Sequence, residues 1–383
     1  MINIVIVGLS DNRKKILSDI SKRCKIVGYA DIRRKHKSFT TFDYVPYFDI
    51  SKIDSSLCEY VIIAYTKKDD MYTAKYEIER TGFDSDKVIE YELFKETLCI
   101  DQMKIFSNTE SNFDILLFGM SHSQCSIQPQ YFHKSLFKFA APSMDLFCQY
   151  KLIQRLITEH HESVRSVKKF ILELPYYIFN FDLSRFRQFV LNRLYYFYLF
   201  SDYHHFGENE GDHNLITHFE NFVKLFDRDD RSDKFTLNKD SDSEERSGII
   251  HGIVVKAKRF ILEILRKYKI LHFKDDVWFK NYCTTQDENI EIWNNIVRSL
   301  GDVNPEAEII ILVCPFDPLF RKLYKHQIAA KKKQFYDIVN KIKNVKIIDN
   351  FTLNEHYQFT DHCHLKTESA LRYTQIVKKQ LED

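Results

Sequence analysis

The chain has 383 residues, of which 44% are hydrophobic and 29% are charged, and its formal net charge at pH 7 is +2. This length exceeds what one ordinary hydrophobic core organises, so two domains or one enlarged domain are expected. A net charge this close to zero provides no overall electrostatic field that would attract nucleic acid. The chain has only 9 glycines, and this low content argues against glycine-rich phosphate-binding loops. The composition therefore indicates a globular protein with a sizeable core and no nucleic-acid partner.

The N-terminal sequence MINIVIVGLSDN lacks a basic leader followed by a long apolar core, so it predicts a first strand rather than a signal peptide. The longest apolar tract, residues 170–181, is too short to span a bilayer and contains Glu173 and Pro175. None of the eight cysteines forms a C-x-x-C pair, and several lie in apolar runs, as in a reducing compartment. We predict a cytoplasmic protein without a transmembrane segment.

The first hundred residues alternate short apolar runs with helical patterns, which predicts a parallel, Rossmann-like α/β sheet. The predicted strands are Ile2–Val7, Lys25–Tyr29, Tyr60–Tyr65 and Lys87–Tyr91. A helix is predicted at Asp11–Ser21, directly after the first strand. We place a first domain at residues 1–97 and a linker at residues 98–112.

A second α/β series begins at Asp114 and predicts a domain over residues 113–383. Its strands are unbroken apolar runs, as expected where both faces of a sheet are covered. They are Ile115–Phe118, Phe170–Leu174, Glu308–Val313 and Val345–Ile348. The helical patterns of this series are Leu146–Ile157, Asn289–Leu300, Lys325–Ile342 and Thr367–Leu381.

Residues 181 to about 285 interrupt this alternation and predict a helical cap inserted into the second domain. Arg185–Phe200 has a helical pattern rich in Tyr and Phe, and the densely charged Asp227–Ser247 predicts a loop. Val255–His272 predicts an amphipathic basic helix. Two interpretations of this helix, residues 255–272, stay open: a solvated face that caps the domain, or peripheral contact with an anionic membrane or a lipid-linked glycan.

The apolar run before Gly119 ends abruptly, and Ser121 follows at once. Gly119 permits a sharp turn from strand to helix, so Ser121 is predicted near a helix N-terminus, where free N–H groups favour a developing oxyanion. A serine hydroxyl needs a base to become a nucleophile, and His364 is the candidate base. Asp361, three residues earlier, is the candidate that orients the imidazole.

Taken singly, such a serine is commonly a helix cap, and an Asp-x-x-His pair is common in loops. Both motifs here follow predicted parallel strands, and ligand sites in open α/β sheets lie at the carboxyl ends of strands. We therefore interpret them as one constellation for nucleophilic catalysis.

These residues also carry a family resemblance. LLFGMSHSQCSI resembles the first block of the SGNH (GDSL-like) hydrolase superfamily, and FTDHCHLKTESALRYTQIV resembles its last block. Glu288-Asn289 is similar to a pair in the branch that contains proteins of teichoic-acid D-alanylation and of polysaccharide clusters. The resemblance covers about residues 113–180 and 283–383. It implies a flavodoxin-like α/β/α domain whose triad is Ser121, His364 and Asp361.

The chain departs from that superfamily where the oxyanion donors are expected. The second block usually supplies a glycine N–H, but residues 138–145 contain no glycine, and Ser143 N–H is our candidate. The third block usually supplies an asparagine, but the strand here runs into Tyr176, our second candidate donor. Because loss of one donor can cost ~10²–10³ in rate, a weak or absent activity stays open.

The resemblance implies a serine-dependent acyl-ester enzyme acting on an acylated carbohydrate or glycan precursor. Water as the acceptor makes it an esterase or deacetylase, and a sugar hydroxyl with an acyl donor makes it an O-acyltransferase. The alternative is a catalytically weak or inactive binding or assembly protein in polysaccharide biosynthesis. The triad itself requires no cofactor.

The first domain resembles Rossmann-like modules, which bind phosphates at a G-x-G-x-x-G turn. Only Gly8 of that fingerprint is present, with Ser10 at the second glycine position and Asp31 where a ribose-binding acid would lie. One hypothesis is a nucleotide or nucleotide sugar held by Gly8, Ser10 and Asp31, and a nucleotide-dependent enzyme would follow from it. The other is an α/β module with no nucleotide.

Two further groups of histidines are interpreted as structural. His204 and His205, with Asp202 and His213 nearby, match no strong zinc spacing, so no metal site is predicted. His122, which follows Ser121, has two interpretations, a residue that lines the pocket or a partly exposed helix residue, and we favour the second.

Overall fold

The structure is a computed structural model that describes residues 1–8, 12–32, 41–95, 102–109, 112–133, 135–186, 190–226, 283–353 and 356–382. Ser10, the charged stretch Asp227–Ser247 and the predicted helix Val255–His272 lie outside these ranges. Within them, every helix is too short or too polar to cross a membrane.

The first sheet has six strands, and all but one neighbouring pair are parallel. The strands are β1 (Ile2–Val7), β2 (Cys24–Asp31), β3 (Thr41–Phe42), β4 (Val45–Asp49), β5 (Tyr60–Ile63) and β6 (Val88–Glu90). The order β4-β2-β1-β5-β6 is that of a doubly wound Rossmann-like sheet, with β3 added antiparallel at one edge. Around this sheet lie the helices α1 (Asn12–Asp19), α2 (Lys68–Glu79) and α3 (Tyr91–Phe94).

The second sheet has five strands, all parallel. They are β7 (Ile115–Gly119), β8 (Leu136–Ala140), β9 (Lys169–Glu173), β10 (Glu308–Val313) and β11 (Val345–Asp349). Their order, β8-β7-β9-β10-β11, is the flavodoxin-like order. The chain direction across the sheet reverses between β7 and β9, and the crevice outside the carboxyl ends of these two strands is where such sheets bind ligands. Both sheets confirm the predicted α/β fold class.

Helices cover the second sheet and bury its apolar side chains. They are α4 (Gln102–Ser107), α5 (Ser121–Ser126), α6 (Leu146–Glu159), α7 (His161–Arg165), α8 (Leu194–Leu199), α10 (Cys283–Val303), α11 (Pro318–Leu323), α12 (Lys325–Val339) and α13 (Thr367–Glu382). Between α8 and α10 in the chain, α9 (Asp212–Phe226) packs instead beside the first sheet, where Phe219 and Phe222 contact Phe94 of α3. Leu117, Ile171 and Ile310 of neighbouring strands pack in one cluster with Tyr373 and Val377 of α13. This continuous core fixes the strand ends that carry the candidate site.

Two features of the region around the second sheet differ from the sequence-based expectation. The edge strand β8 was missed because Lys138 interrupts its apolar run; its Nζ is buried and donates to the carbonyls of Gln124 and Ile127. Burial lowers the pKa of Lys138 to about 8. The continuous helix predicted at Arg185–Phe200 is wrong, since Arg193 has a non-helical backbone and α8 begins only at Leu194.

Candidate active site

The turn after β7 brings Ser121 to the edge of the second sheet. β7 ends at Gly119, and α5 begins at Ser121. A Cβ on Gly119 would lie 2.3 Å from Ser123 Oγ and 2.7 Å from Glu173 Cβ. Glycine is therefore needed here for close approach to β9. That approach lets the Met120 N–H donate to Glu173 Oε2 at 2.7 Å, which fixes the residue before the serine.

The loop before α13 folds around the carboxylate of Asp361. Asp361 Oδ1 accepts hydrogen bonds from the N–H groups of Cys363 and His364, both at 2.9 Å. The Thr360 N–H donates to the His364 carbonyl at 2.8 Å. Such side-chain-to-backbone bonds are how aspartate closes a tight turn, and this turn sets the direction of the His364 imidazole.

The structure brings Ser121, His364 and Asp361 together in one hydrogen-bonded chain. His364 Nδ1 lies 2.6 Å from Asp361 Oδ2, and His364 Nε2 lies 2.8 Å from Ser121 Oγ. Because an ionised carboxylate only accepts hydrogen bonds, Nδ1 carries the proton and Nε2 is left to accept the serine O–H. This is the connectivity of a nucleophile, a base and an orienting acid.

The electrostatics of Asp361 suit that orienting position. Burial raises the pKa of Asp361, but hydrogen bonds from the His364 imidazole and from the N–H groups of Cys363 and His364 outweigh burial. The net effect holds the pKa of Asp361 well below its usual value. The carboxylate therefore keeps its negative charge beside the imidazole throughout the neutral range.

Ser143 lies in the turn after β8, next to the nucleophile strand. The Ala141 N–H donates to the Gly119 carbonyl at 3.2 Å, which ties this turn to the end of β7. Ser143 itself has φ of 59°, in the left-handed region that favours glycine. The turn thus keeps a glycine-type backbone although the residue is serine. Its role as an oxyanion donor stays a prediction.

The structure gives Tyr176 a different partner from the one predicted, and we correct that assignment. Its hydroxyl lies 2.8 and 2.7 Å from the two carboxylate oxygens of Asp349 and donates to them. Lys332 Nζ and the Tyr336 hydroxyl also donate to Asp349 Oδ2. A phenol has one proton to donate, so the Tyr176 hydroxyl is committed to this cluster and not to an oxyanion.

A buried pair, His122 and Glu173, lies beside the triad and was not predicted. The expectation of a partly exposed His122 is wrong, because its side chain is 2% exposed and its Nδ1 lies 3.1 Å from Glu173 Oε1. The His122 and His364 rings are 5.8 Å apart between centroids, and the Tyr177 hydroxyl lies 3.5 Å from His122 Nε2. The signal in the sequence was the one acidic residue inside the apolar strand FILEL, since buried charges are retained only with partners.

Gly8 and Asp31 meet at the carboxyl end of the first sheet, where Tyr65 contacts both. Gly8 has φ of 99°, and the Tyr65 ring lies 3.0 Å from where a Gly8 Cβ would be. The Tyr65 hydroxyl donates to Asp31 Oδ1 at 2.8 Å and accepts from the Ile32 N–H at 3.1 Å. A nucleotide site at Gly8, Ser10 and Asp31 stays a prediction.

The chain matches no protein-family model and no curated protein. Among solved structures, it is similar to a chain from Streptococcus pneumonia provisionally described as a platelet activating factor, at 12% identity and a TM-score of 0.34, covering 73% of this chain and 90% of that one. It is also similar to a lipase from a goat rumen metagenome, at 9% identity and a TM-score of 0.34, covering 70% and 96%. These values are too low to assign an activity.

Proposed function

We propose that the protein is a serine-dependent acyl-ester enzyme with Ser121 as its nucleophile. The observation that carries the proposal is the chain of two short hydrogen bonds, 2.8 Å from Ser121 Oγ to His364 Nε2 and 2.6 Å from His364 Nδ1 to Asp361 Oδ2. It lies after β7, beside the reversal of strand order where ligands bind in sheets of this topology. His364 is 27% exposed at its side chain, so the base is accessible to a substrate.

In the first half of the proposed reaction, Ser121 Oγ attacks the acyl carbonyl carbon while His364 Nε2 takes the serine proton. The Asp361 carboxylate stabilises the imidazolium that forms. The N–H groups of Ser121, at the start of α5, and Ser143 hold the oxyanion of the tetrahedral intermediate. The imidazolium then gives its proton to the departing alkoxide, which leaves the acyl group on Ser121.

In the second half, an acceptor hydroxyl attacks the acyl carbon while His364 Nε2 takes the acceptor's proton. The bond from the acyl carbon to Ser121 Oγ then breaks, and His364 returns the proton to the serine oxygen. Water as the acceptor gives an esterase or deacetylase, and a sugar hydroxyl gives an O-acyltransferase. We propose an acylated carbohydrate or glycan precursor as the substrate. The support for that class is the resemblance of the Ser121 and Asp361–His364 blocks, and of Glu288-Asn289, to the polysaccharide branch of the SGNH superfamily.

One observation favours a second candidate, a binding or assembly protein with little or no turnover. Tyr176, the predicted side-chain donor, is bonded to Asp349. The oxyanion is then left with backbone donors, and each missing donor costs ~10²–10³ in rate. In this candidate the same crevice binds the glycan without cleaving its ester.

Hydrolysis of p-nitrophenyl acetate and of acetylated methyl glycosides by the Ser121→Ala variant tests the proposal. We expect a loss of about 10⁴-fold or more in kcat relative to wild type, because the acyl-enzyme cannot form. Ser126→Ala is the matched control: this serine is on the same helix, and its buried hydroxyl has no hydrogen-bond partner among the described residues. The proposal would be contradicted if the folded wild-type protein showed no turnover, or if Ser121→Ala and Ser126→Ala had equal turnover.

A further inference from the structure

Four side chains that the proposed reaction does not use converge at one point of the structure. They are Asp182 in the segment after β9, His204 and His205 in the loop after α8, and Glu288 on α10. One nitrogen of each imidazole and one oxygen of each carboxylate lie within 4.8 Å of one another. Two imidazoles and two carboxylates are a ligand set that divalent transition metals accept.

Three of the distances between the candidate ligand atoms bracket the spacing found around a tetrahedral ion. His205 Nε2 lies 2.7 Å from Glu288 Oε2 and 3.8 Å from Asp182 Oδ2. His204 Nε2 lies 3.0 Å from Glu288 Oε1. A tetrahedral ion bound at about 2.0–2.1 Å holds its ligand atoms roughly 3.3 Å apart, and the observed distances lie on both sides of that value. Glu288 offers a different carboxylate oxygen to each histidine, and the four groups lie within reach of one ion.

The hydrogen bonding of His205 leaves a place for a cation. Its Nδ1 lies 2.6 Å from Glu208 Oε1, while its Nε2 lies 2.7 Å from Glu288 Oε2. A neutral imidazole has one N–H, so only one of these carboxylates receives a hydrogen bond from it. A ring that donates from Nδ1 to an outer carboxylate and presents Nε2 inward is the usual arrangement of a metal-bound histidine. The close approach of His205 Nε2 to Glu288 Oε2 then requires either a second proton on the imidazole or a metal ion between the two atoms.

The local charge and packing agree with a cation site. Asp182, Glu208 and Glu288 face the cluster, whereas the guanidinium of Arg185 balances one of their charges through contacts with Asp182 and Glu208. The His204 ring is fixed by stacking on Phe147, with centroids 3.8 Å apart and planes 10° from parallel.

We propose that Asp182, His204, His205 and Glu288 bind one divalent transition-metal ion of the Zn²⁺ type. The ion joins the segment after β9 and the loop after α8 to α10. Asn289, the neighbour of Glu288, holds the same segment by donating to the carbonyl of Phe181 at 3.0 Å. The prediction of no metal site rests only on the sequence spacing of residues near His204 and His205. The two carboxylates of the proposed site come from distant parts of the chain.

Titration of EDTA-treated protein with Zn²⁺ against a chromophoric chelator tests the site, with Co²⁺ absorption as the probe of coordination. We expect one equivalent of Zn²⁺ to bind, with at least about 100-fold preference over Mg²⁺ and Ca²⁺, because imidazole ligands favour transition metals. His205→Asn and Glu288→Gln should each weaken binding by about 100-fold or more. Glu208→Gln, which changes only the outer partner, should weaken it about 10- to 100-fold.

Two controls separate this site from other metal ligands. His161→Asn changes an exposed histidine elsewhere on the surface and should leave binding unchanged. Cys363→Ser alters the other candidate group, Asp361, His362 and Cys363, whose thiolate would give Co²⁺ a near-ultraviolet charge-transfer band. Circular dichroism in EDTA checks that each variant is folded. Absence of stoichiometric binding, or binding that survives His205→Asn and is lost in Cys363→Ser, would overturn the proposal.

Discussion

Replacing His364 with alanine is expected to lower kcat for ester hydrolysis by about 10⁴- to 10⁶-fold, because Ser121 loses its only described base. The serine hydroxyl would still lie at the sheet edge, but it would have to lose its proton to water. The His364 side chain is partly exposed and at the surface, so its removal should leave the fold and the thermal midpoint nearly unchanged. Steady-state kinetics with p-nitrophenyl acetate measure the loss.

His362→Ala is the matched control for this prediction. His362 is two residues away in the same loop, but its ring stacks on Phe320, with centroids 4.8 Å apart. We expect this variant to keep kcat within about tenfold of wild type. A large loss in His362→Ala together with full activity in His364→Ala would show that the base is assigned to the wrong histidine.

Replacing Glu173 with alanine is expected to lower the free energy of unfolding by about 3–5 kcal/mol. The carboxylate is fully buried and accepts the N–H of Met120 at 2.7 Å. It also pairs with the buried His122 at 3.1 Å and lies 3.4 Å from the Ser123 hydroxyl. Its removal leaves the Met120 N–H and the His122 imidazole buried without this acceptor, and it opens a cavity under the turn that carries Ser121.

Urea unfolding of wild type, Glu173→Ala and Glu173→Gln checks this effect. The amide of glutamine keeps the volume and one acceptor oxygen, so Glu173→Gln should lose less stability than Glu173→Ala. Activity should fall in both variants, because a shift of about 1 Å in a reacting group can cost 10²-fold. A change below about 1 kcal/mol in Glu173→Ala would contradict the role of this carboxylate in holding the turn.

The sheet and the three triad positions were predictable because their signals are local. Buried parallel strands read as unbroken apolar runs, and Ile2–Val7 and Glu308–Val313 have in the structure the bounds predicted for them. Ser121 and His364 could be paired because each follows a strand, or a short loop after one, at the same edge of a sheet. The Asp-x-x-His motif indicates a pair of residues, and the turn around Asp361 sets the direction of the His364 imidazole.

The remaining features depend on contacts that form only in the folded chain. The path of the backbone after β9 decides whether Tyr176 or Tyr177 faces the crevice. The Tyr176 hydroxyl donates a hydrogen bond to Asp349, which lies on another strand, β11. His122 is buried because Glu173 approaches it across the gap that Gly119 leaves. No spacing rule connects residues so far apart in the chain.

Mapping the adduct formed with a fluorophosphonate probe tests the central claim most directly. The probe reacts only with a serine whose hydroxyl is activated, so labelling does not depend on knowing the natural acyl group or acceptor. We predict one phosphonyl group per chain, located by peptide mass spectrometry on Ser121 and absent from Ser121→Ala. Labelling at another serine, or a folded protein that stays unlabelled, would contradict Ser121 as the activated nucleophile.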